Sequence, residues 1–356
     1  AETEPAKRIA GVQVVQESDF VAVLHEHPDV AEQARAQIND QFDRHSTGVD
    51  DKTIFDHLLK STPNPEVASQ GGSLKTGEKL ASTVIEETYF NSYVAHAPME
   101  PHTAAAEFDG KKLTVWASTQ TPFRIKEQIA EQLSLPPDRV RVITPYVGGG
   151  FGGKSASRQA LEAARLAKRV GRPVQVAWSR AEEFFYDTFR PAAIVKIKSG
   201  LNSSGQITFW DYNVYYAGMR GSKQFYEVPH HKEIVHGRWR GRAGKNHPFG
   251  IGPWRAPANN TNTYARDLHL NLMAAKAGVD PLQFRLKHLR DKRMINVLQA
   301  AAKAFGWQSL KPPSGRGQGI ACGIDAGTYV AFMAEVEVER ASGSVDVKRV
   351  VCAQDM

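Results

Sequence analysis

Val140-Arg-Val-Ile-Thr-Pro-Tyr-Val147 runs directly into Gly148-Gly-Gly-Phe151-Gly-Gly-Lys154-Ser155, and a helix-like stretch, Ala156–Arg169, follows. The apolar run reads as a strand. Ala160, Ala163, Ala164 and Ala167 give the next stretch one small face at helical spacing, Gly171 stops it, and Pro173–Trp178 reads as another strand. Strand, helix, strand implies a βαβ unit, a parallel pair with a covering helix. The loop itself has three readings. Taken literally it satisfies G-x-x-x-x-G-K-[ST], so Lys154 would reach terminal phosphates and Ser155 would hold Mg²⁺. No later strand ends in a good acidic metal ligand, however: Val174–Trp178 leads to Ser179-Arg180, and Ile207–Asp211 is a weak substitute. Five glycines around one phenylalanine suggest instead a backbone pressed on both sides against a large flat ligand. The third reading is a tight turn that binds nothing.

Working outward, Ala104–Phe108 and Leu113–Ser118 pair across Asp109-Gly110, a strong hairpin signal. Thr121 is placed to cap a helix with Pro122 in its first turn and Ile125, Ile129 and Leu133 on its buried stripe. Ala192–Lys198 and Ile207–Tyr216 form a second hairpin-like pair, and about thirty irregular residues then run to Trp254. Helices are expected near 259–277, from Pro281 and near 294–305, and strands at 328–339 and 345–353. At the other end, Phe20–Glu26 reads as a strand before a helix with Val30, Ala34 and Ile38 on one face. Residues 41–80 are polar and read as a long surface connection. The class is α+β, with mixed sheets, covering helices and several domains.

At about 150 residues per domain, 356 residues make two to three domains. With 41% hydrophobic and 23% charged residues the composition is that of a globular chain rather than a disordered one. No apolar run approaches the ~20 residues of a membrane-spanning helix. Two cysteines, Cys322 and Cys352, cannot by themselves build a four-thiolate zinc site or an iron–sulfur cluster. The net charge of +7 is spread along the chain, and the densest basic cluster, Arg238–Lys245, does not make a nucleic-acid site expected. The chain begins at Ala1 without an initiator methionine and stops just after a strand, so a fragment or one chain of a split assembly is expected.

The segments around the loop resemble a known family. Gly148–Lys154 is similar to the glycine loop of the molybdenum hydroxylases, the xanthine dehydrogenase/aldehyde oxidase family. Trp116-Ala-Ser-Thr-Gln120-Thr-Pro resembles that family's strand-end glutamine segment. Ala95-His-Ala-Pro-Met-Glu100-Pro resembles its preceding loop, in the form found in bacterial isoquinoline 1-oxidoreductase-like large subunits. Ser179-Arg180-Ala-Glu-Glu183-Phe, Arg190-Pro191, Trp254-Arg255-Ala-Pro257 and Gly278-Val-Asp-Pro281-Leu-Gln-Phe-Arg285 follow in family order.

The resemblance implies a molybdopterin-binding fold. Residues 1–40 would be the end of a small α/β hammerhead-like domain and 41–80 a linker. Residues 81–310 would be a first molybdopterin-binding region, and 311–356 the truncated start of a second. It implies hydroxylation of aldehydes or N-heterocycles with water-derived oxygen, the cofactor carrying the redox chemistry. That cofactor would be molybdenum on molybdopterin, in its cytosine dinucleotide form. Gln120 would hydrogen-bond the metal's oxo ligand, and Gly149, Gly150, Phe151, Gly152 and Gly153 would cover metal and pterin. Arg255 would stand at the metal, so that Gln120, Phe151 and Arg255 surround the molybdenum without ligating it; Ser155 and Pro257 would face the substrate channel. The partners implied are an iron–sulfur subunit or domain, the missing C-terminal molybdopterin-binding half, and a small aldehyde or N-heterocycle. A cytochrome c is one candidate electron acceptor, and a bacterial cytoplasm and periplasm are both compatible.

The family's catalytic glutamate lies in a Gly-Val-Gly-Glu segment that this sequence lacks. Glu335, Glu337 and Glu339 alternate with valines and read as a solvated strand face, so no catalytic residue is assigned and the chain alone is expected to be inactive. Ser155 stands where purine-oxidising members carry an acid. Asp267, Asn271 and Leu272 stand where the family has other residues, which could alter packing on a neighbouring chain. Among the rest, His230, His231, His236 and His247 read as surface histidines rather than metal ligands. His96 and His102 read as parts of a structural loop, and Trp178, Phe184, Phe185 and Tyr186 as core. No G-x-S-x-G elbow supports Ser–His–Asp catalysis. Beside the molybdenum reading stand a P-loop nucleotide binder and a scaffold that only binds partner subunits.

Overall fold

The structure, a computed structural model, describes residues 1–39, 48–241, 246–308 and 315–356. Four sheets are present among them. A hairpin pairs β1 (Gln13–Glu17) with β2 (Phe20–Leu24), flanked by helices α1 (Glu4–Lys7) and α2 (Pro28–Ala36). The largest sheet has the order β3-β11-β10-β9-β4, from β3 (Pro65–Gly71), β4 (Thr83–Asn91), β9 (Ala193–Leu201), β10 (Ile207–Tyr215) and β11 (His230–His236). A second has the order β7-β6-β5-β8, from β5 (Thr103–Phe108), β6 (Leu113–Ala117), β7 (Val140–Ile143) and β8 (Val174–Ala177). The last is a meander of β12 (Arg316–Asp325), β13 (Thr328–Val338) and β14 (Val345–Asp355). The α+β class with mixed sheets is therefore observed.

The large sheet alternates as a two-sided sheet must. Trp210, Tyr212 and Val214 of β10 stand beside Val195 and Ile197 of β9, and this face shares its core with α8 (Asn259–Ala277) through Ala265, Leu270, Met273 and Ala274. α3 (Ile54–Lys60) and α4 (Leu74–Leu80) belong to the opposite side, with Leu58 in a cluster with Ile194 and Tyr216. Gly77 of α4 is required there, because a Cβ would lie 2.5 Å from that of Phe209. Behind α8, α9 (Pro281–Lys287) and α10 (Lys292–Phe305) extend the same core to β13, where Ala331 and Met333 are fully buried. Arg285 of α9 is also fully buried. Its guanidinium donates to Asp267 Oδ1 of α8 at 2.9 Å, and the same oxygen accepts the Cys322 amide of β12 at 3.1 Å.

The small sheet has a separate core. α6 (Arg158–Val170) lays Ala160, Ala163, Ala164 and Ala167 on it, all without solvent exposure, and α5 (Pro122–Gln132) adds Ile125 and Ile129. The absence of bulk on the α6 face lets the helix lie close to the strands, as the alanine spacing predicts.

Several expectations need correction. The adjacent parallel pair is β6–β7, joined through α5. β7 and β8 are separated by β6 and β5, so α6 crosses over two strands. Thr121 precedes α5 but its side chain makes no capping bond. The part of the expected 41–80 connection that is described, from residue 48, carries α3, β3 and α4, and β3 is an edge of the large sheet. Polar edge residues on β3 hid it, since only one face of an edge strand needs to be apolar. The stretch read as irregular before Trp254 contains β11, whose histidines and lysine mask its alternation. Residues 41–47, 242–245 of the basic cluster, and the 310/311 boundary lie outside the described residues.

Asp267→Ala should cost about 3–5 kcal/mol, because it leaves a fully buried guanidinium unpaired. Asp325→Ala, which breaks a half-exposed pair with Arg220, should cost under about 1 kcal/mol. Urea unfolding of both variants measures the contrast.

Candidate functional site

Because β6 and β7 are parallel neighbours, their C-terminal ends open on one edge of the small sheet, where open α/β sheets place ligands. β5 runs antiparallel to β6, so the segment leading into β5 reaches the same edge. Three loops meet there: 95–102 before β5, 118–121 after β6 and 144–157 after β7.

Glu100 ties them together. Its Oε2 accepts from Lys154 Nζ at 2.7 Å, from the Gly148 amide at 2.8 Å and from Ser118 Oγ at 2.9 Å, while Thr103 Oγ1 donates to Oε1 at 3.2 Å. Burial pushes the carboxyl up, but the ammonium, the amide and the hydroxyl outweigh it and hold the pKa at about 2. Lys154 has no solvent exposure. The phosphate reading of the loop fails on this point, since the lysine that should reach a nucleotide is turned inward onto Glu100. The loop also fails to open a helix. A short 3₁₀ turn, Gly153–Ser155, intervenes before α6, and Ser157 at its N-cap is left-handed with φ 48°.

The glycines answer to protein rather than to a ligand. A Cβ on Gly148 would lie 2.5 Å from that of Glu100, on Gly150 2.6 Å from Gln120 Oε1, and on Gly152 1.8 Å from the Pro253 carbonyl. On Gly153 it would lie 2.5 Å from Asp187 Oδ2. Glycine density therefore comes from the closeness of four protein segments, which corrects the expectation of a flat ligand on both sides.

Gln120 is exposed, and its Oε1 accepts the Gly152 amide at 2.9 Å. An N–H can only meet the oxygen, so the free end of the amide is its NH₂ donor. Phe151 is exposed with φ 54°, and its carbonyl accepts the Arg255 amide at 3.0 Å. The Arg255 guanidinium lies 4.2 Å from the centre of the Phe151 ring and 5.5 Å from that of Trp254, and Arg190 lies 4.9 Å from Trp254 on its own account. The amides of Gly149, Gly150 and Phe151 carry no hydrogen bond among the described residues. The Ser155 carbonyl accepts from Thr121 Oγ1 at 3.1 Å, and Pro257 lines a small recess with Arg190, Trp239 and Trp254.

Other candidates sort clearly. His96 and His102 are buried and bonded, His102 to Glu183 and His96 to Asp187. His247 is buried against Tyr93, contrary to the surface expectation, and burial lowers its pKa to about 4; His236 is half-buried and stacked on Tyr215. Among the described residues no three His, Cys, Asp or Glu side chains could hold a metal ion. Trp178 is core as expected, but Phe184, Phe185 and Tyr186 are exposed. Asp267 and Asn271 both accept from Arg285 within the chain. Glu335 and Glu337 are paired with Arg316 and Lys348, but they lie on the same side of β13 as the buried Ala331 and Met333, and the exposed side carries Phe332 and Val338, which corrects the expectation of a solvated glutamate face. Sequence reasoning named Glu100 only as part of a motif and missed Asp187 as a partner of His96. Neither acid has a spacing signal, because each meets its partner across more than 50 residues.

Beside the glycine loop, Gln120, Phe151 and Arg255 thus present an exposed amide donor, an aromatic ring and a guanidinium. The chain belongs to the molybdopterin cofactor-binding domain family, whose model matches residues 59–289. It is 30% identical to the molybdenum-binding subunit of an Escherichia coli aldehyde oxidoreductase, over 84% of this chain and 43% of that protein. It is 26% identical to one of the subunits of a Pseudomonas putida nicotinate dehydrogenase, over 97% of this chain and 32% of that one. The chain thus spans less than half the length of these relatives. Among solved structures, quinoline 2-oxidoreductase from Pseudomonas putida 86 matches with a TM-score of 0.70 at 16% identity, over 97% of this chain and 56% of that one. A Cu,Mo-CO dehydrogenase matches with a TM-score of 0.73 at 17% identity, over 97% and 57%. Both show the same fold.

Lys154→Met should cost about 3 kcal/mol, the low end for a broken buried pair because Glu100 keeps a wet edge. The sign of its acid dependence is fixed. Glu100 titrates lower in the folded protein than its ordinary value of 4.5, so its contribution is whole above pH 4.5 and fades as pH falls toward 2. Melting temperatures measured from pH 6 to 2 should show that slope flattened in Lys154→Met.

Proposed function

We propose that this chain is the cofactor-holding part of a molybdenum-dependent oxidoreductase that hydroxylates aldehydes or N-heterocycles. The observation that carries the proposal is the exposed face shared by Gln120, Phe151 and Arg255, positioned by a loop that is itself locked from behind by Glu100. The residues fit the group. No side-chain cluster need bind the metal, because molybdopterin brings its own metal-binding sulfurs, and the chain offers what surrounds such a group. Molybdopterin with molybdenum, when bound, supplies the redox chemistry.

Each residue has a definite task in this proposal. Gln120 presents its NH₂ as a neutral donor to an oxo acceptor, with its oxygen held by Gly152 so that the amide cannot flip without losing that bond. Arg255 presents a charge to the anionic face of the cofactor, and Phe151 excludes water from one side of it. Gly149, Gly150, Gly152 and Gly153 form the cover over metal and pterin, with the Gly149 and Gly150 amides, which carry no hydrogen bond among the described residues, as its donors. Ser155 and Pro257 border the substrate channel. The cofactor is assigned the cytosine dinucleotide form. The names of the relatives, an aldehyde oxidoreductase, a nicotinate dehydrogenase and an isoquinoline 1-oxidoreductase, support this substrate class.

Exposed apolar surface supports the reading that this chain has partners. The outer face of the β12–β14 meander carries Phe332, Val345, Val347 and Val350, each 45–64% exposed, beside the open edge of β14. Near the glycine loop, Met99, Phe123 and Tyr146 are still more exposed. Apolar surface of this extent calls for cover. The proposed cover is a C-terminal molybdopterin-binding half that supplies the base, with an iron–sulfur subunit to carry electrons onward, to a cytochrome c as one acceptor. The division into a hammerhead-like end, linker, first and second molybdopterin-binding regions belongs to the same proposal.

The chain isolated with everything that co-purifies from its source should contain about one molybdenum atom per chain by elemental analysis. No molybdenum would overturn the proposal. Gln120→Ala combined with Arg255→Ala should lower molybdenum retention roughly 10- to 100-fold, the usual effect of residues around a metal site.

A further inference from the structure

We propose that His96 is a positioning residue that carries a proton on both ring nitrogens and, as a cation, pins the glycine loop against residues 252–255. The inference rests on hydrogen-bond valence. Nε2 lies 2.7 Å from the Pro253 carbonyl, which has no proton to give, so Nε2 donates. Nδ1 lies 2.7 Å from Asp187 Oδ2, and the other oxygen of that carboxylate accepts the Thr188 amide. A carboxylate that accepts at both oxygens requires an N–H at Nδ1 as well. A neutral ring with its lone pair facing the carboxylate at that distance would be repelled. The ring has no side-chain exposure and Asp187 only 7%, so no water can substitute for either bond.

The clamp touches the loop directly. Gly153 leaves only enough room that a Cβ there would be 2.8 Å from His96 Nδ1. At Gly152, with φ +118°, it would be 3.2 Å from Nε2 as well as in collision with Pro253. One bond further on, the Phe151 carbonyl holds the Arg255 amide. The imidazolium therefore fixes three things at once: the turn after α7 (Arg180–Tyr186) at Asp187, the 252–255 segment at Pro253, and the loop between them. Where Phe151 stands beneath Arg255 depends on that junction.

The other charges on the elements around the ring do not disturb this arrangement. Glu183 of α7 favours the cation but is engaged by Arg180 at 2.6 Å and by His102. Lys154 of the loop is committed to Glu100, and Arg255 stacks on Phe151. Burial by itself would lower the His96 pKa; the Asp187 carboxylate, the Pro253 carbonyl and Glu183 outweigh it, and the net shift is upward. The sign follows. The clamp is whole below the ordinary histidine value of 6.5 and is lost as pH rises through the raised value in the folded protein.

The consequence for cofactor retention rests on the proposed function, but the clamp is tested without any cofactor. In the 356-residue chain labelled with ¹⁵N-histidine, one ring should show both nitrogens as N–H at pH 7.5, and that ring should be the one missing from His96→Gln. Asp187→Asn can offer an NH₂ to a neutral ring, so it should keep the fold while His96 loses its Nδ1 proton. Hydrogen exchange across residues 148–154 should then be faster in Asp187→Asn than in the native chain by roughly tenfold at the same pH. A His96 with one bare nitrogen at pH 7.5 overturns the charge, and unchanged loop exchange in Asp187→Asn overturns the pinning. Both results as expected in a protein that never takes up molybdenum would count against the proposed function alone.

Discussion

Lys154 has no exposure to solvent, and among the described residues its partner is the Glu100 carboxylate. The pair is the constraint from which the site follows. An ammonium desolvated without a partner would cost several kcal/mol or shed its proton. Glu100 also takes the first amide of the glycine loop and the hydroxyl that ends β6, so one carboxylate joins the entry to β5, the exit of β6 and the loop after β7. With the back of the loop locked, the amides of Gly149, Gly150 and Phe151 carry no hydrogen bond among the described residues.

The front is held by softer contacts. Phe151, Arg255, Trp254 and Arg190 form a run of alternating rings and guanidinium groups, each contact 4.2–5.5 Å from group to ring centre. Such contacts are individually worth ~0.5–2 kcal/mol, enough to bias the Phe151 ring without freezing it. His96 joins the two regimes. It is as deeply buried as Lys154, but its partners belong to the segments that carry the front residues. The back of the loop is thus held by a buried ion pair and its front by ring–cation contacts.

Away from the site the molecule uses the same device once more. Arg285, Asp267 and Cys322 connect α9, α8 and β12 through bonds that are entirely buried, which binds the β12–β14 meander to the large-sheet core. The meander's inner face packs against α8 and α10, while its outer face carries the exposed Phe332, Val345, Val347 and Val350, and β14 is an edge strand.

Local signals in the sequence determined a good part of this. The Asp109-Gly110 hairpin, the alanine face of α6, Asp280-Pro281 as a helix start and the alternation in β13 and β14 are each encoded within a few residues, and each is observed. The ordered motifs around Gly148–Lys154 also gave the family. Tertiary structure alone decided the rest. β3 and β11 carry too many polar residues to be read as strands until they are seen side by side, since pairing supplies what their own alternation lacks. The direction of Lys154 could not be read either, because a G-K-S string is the same whether its lysine faces a phosphate or Glu100, 54 residues away. Spacing records what neighbours along the chain can do. The charge state of His96, the inward turn of Lys154 and the need for each loop glycine come from atoms brought together across the fold, and no periodicity in the sequence carries that information.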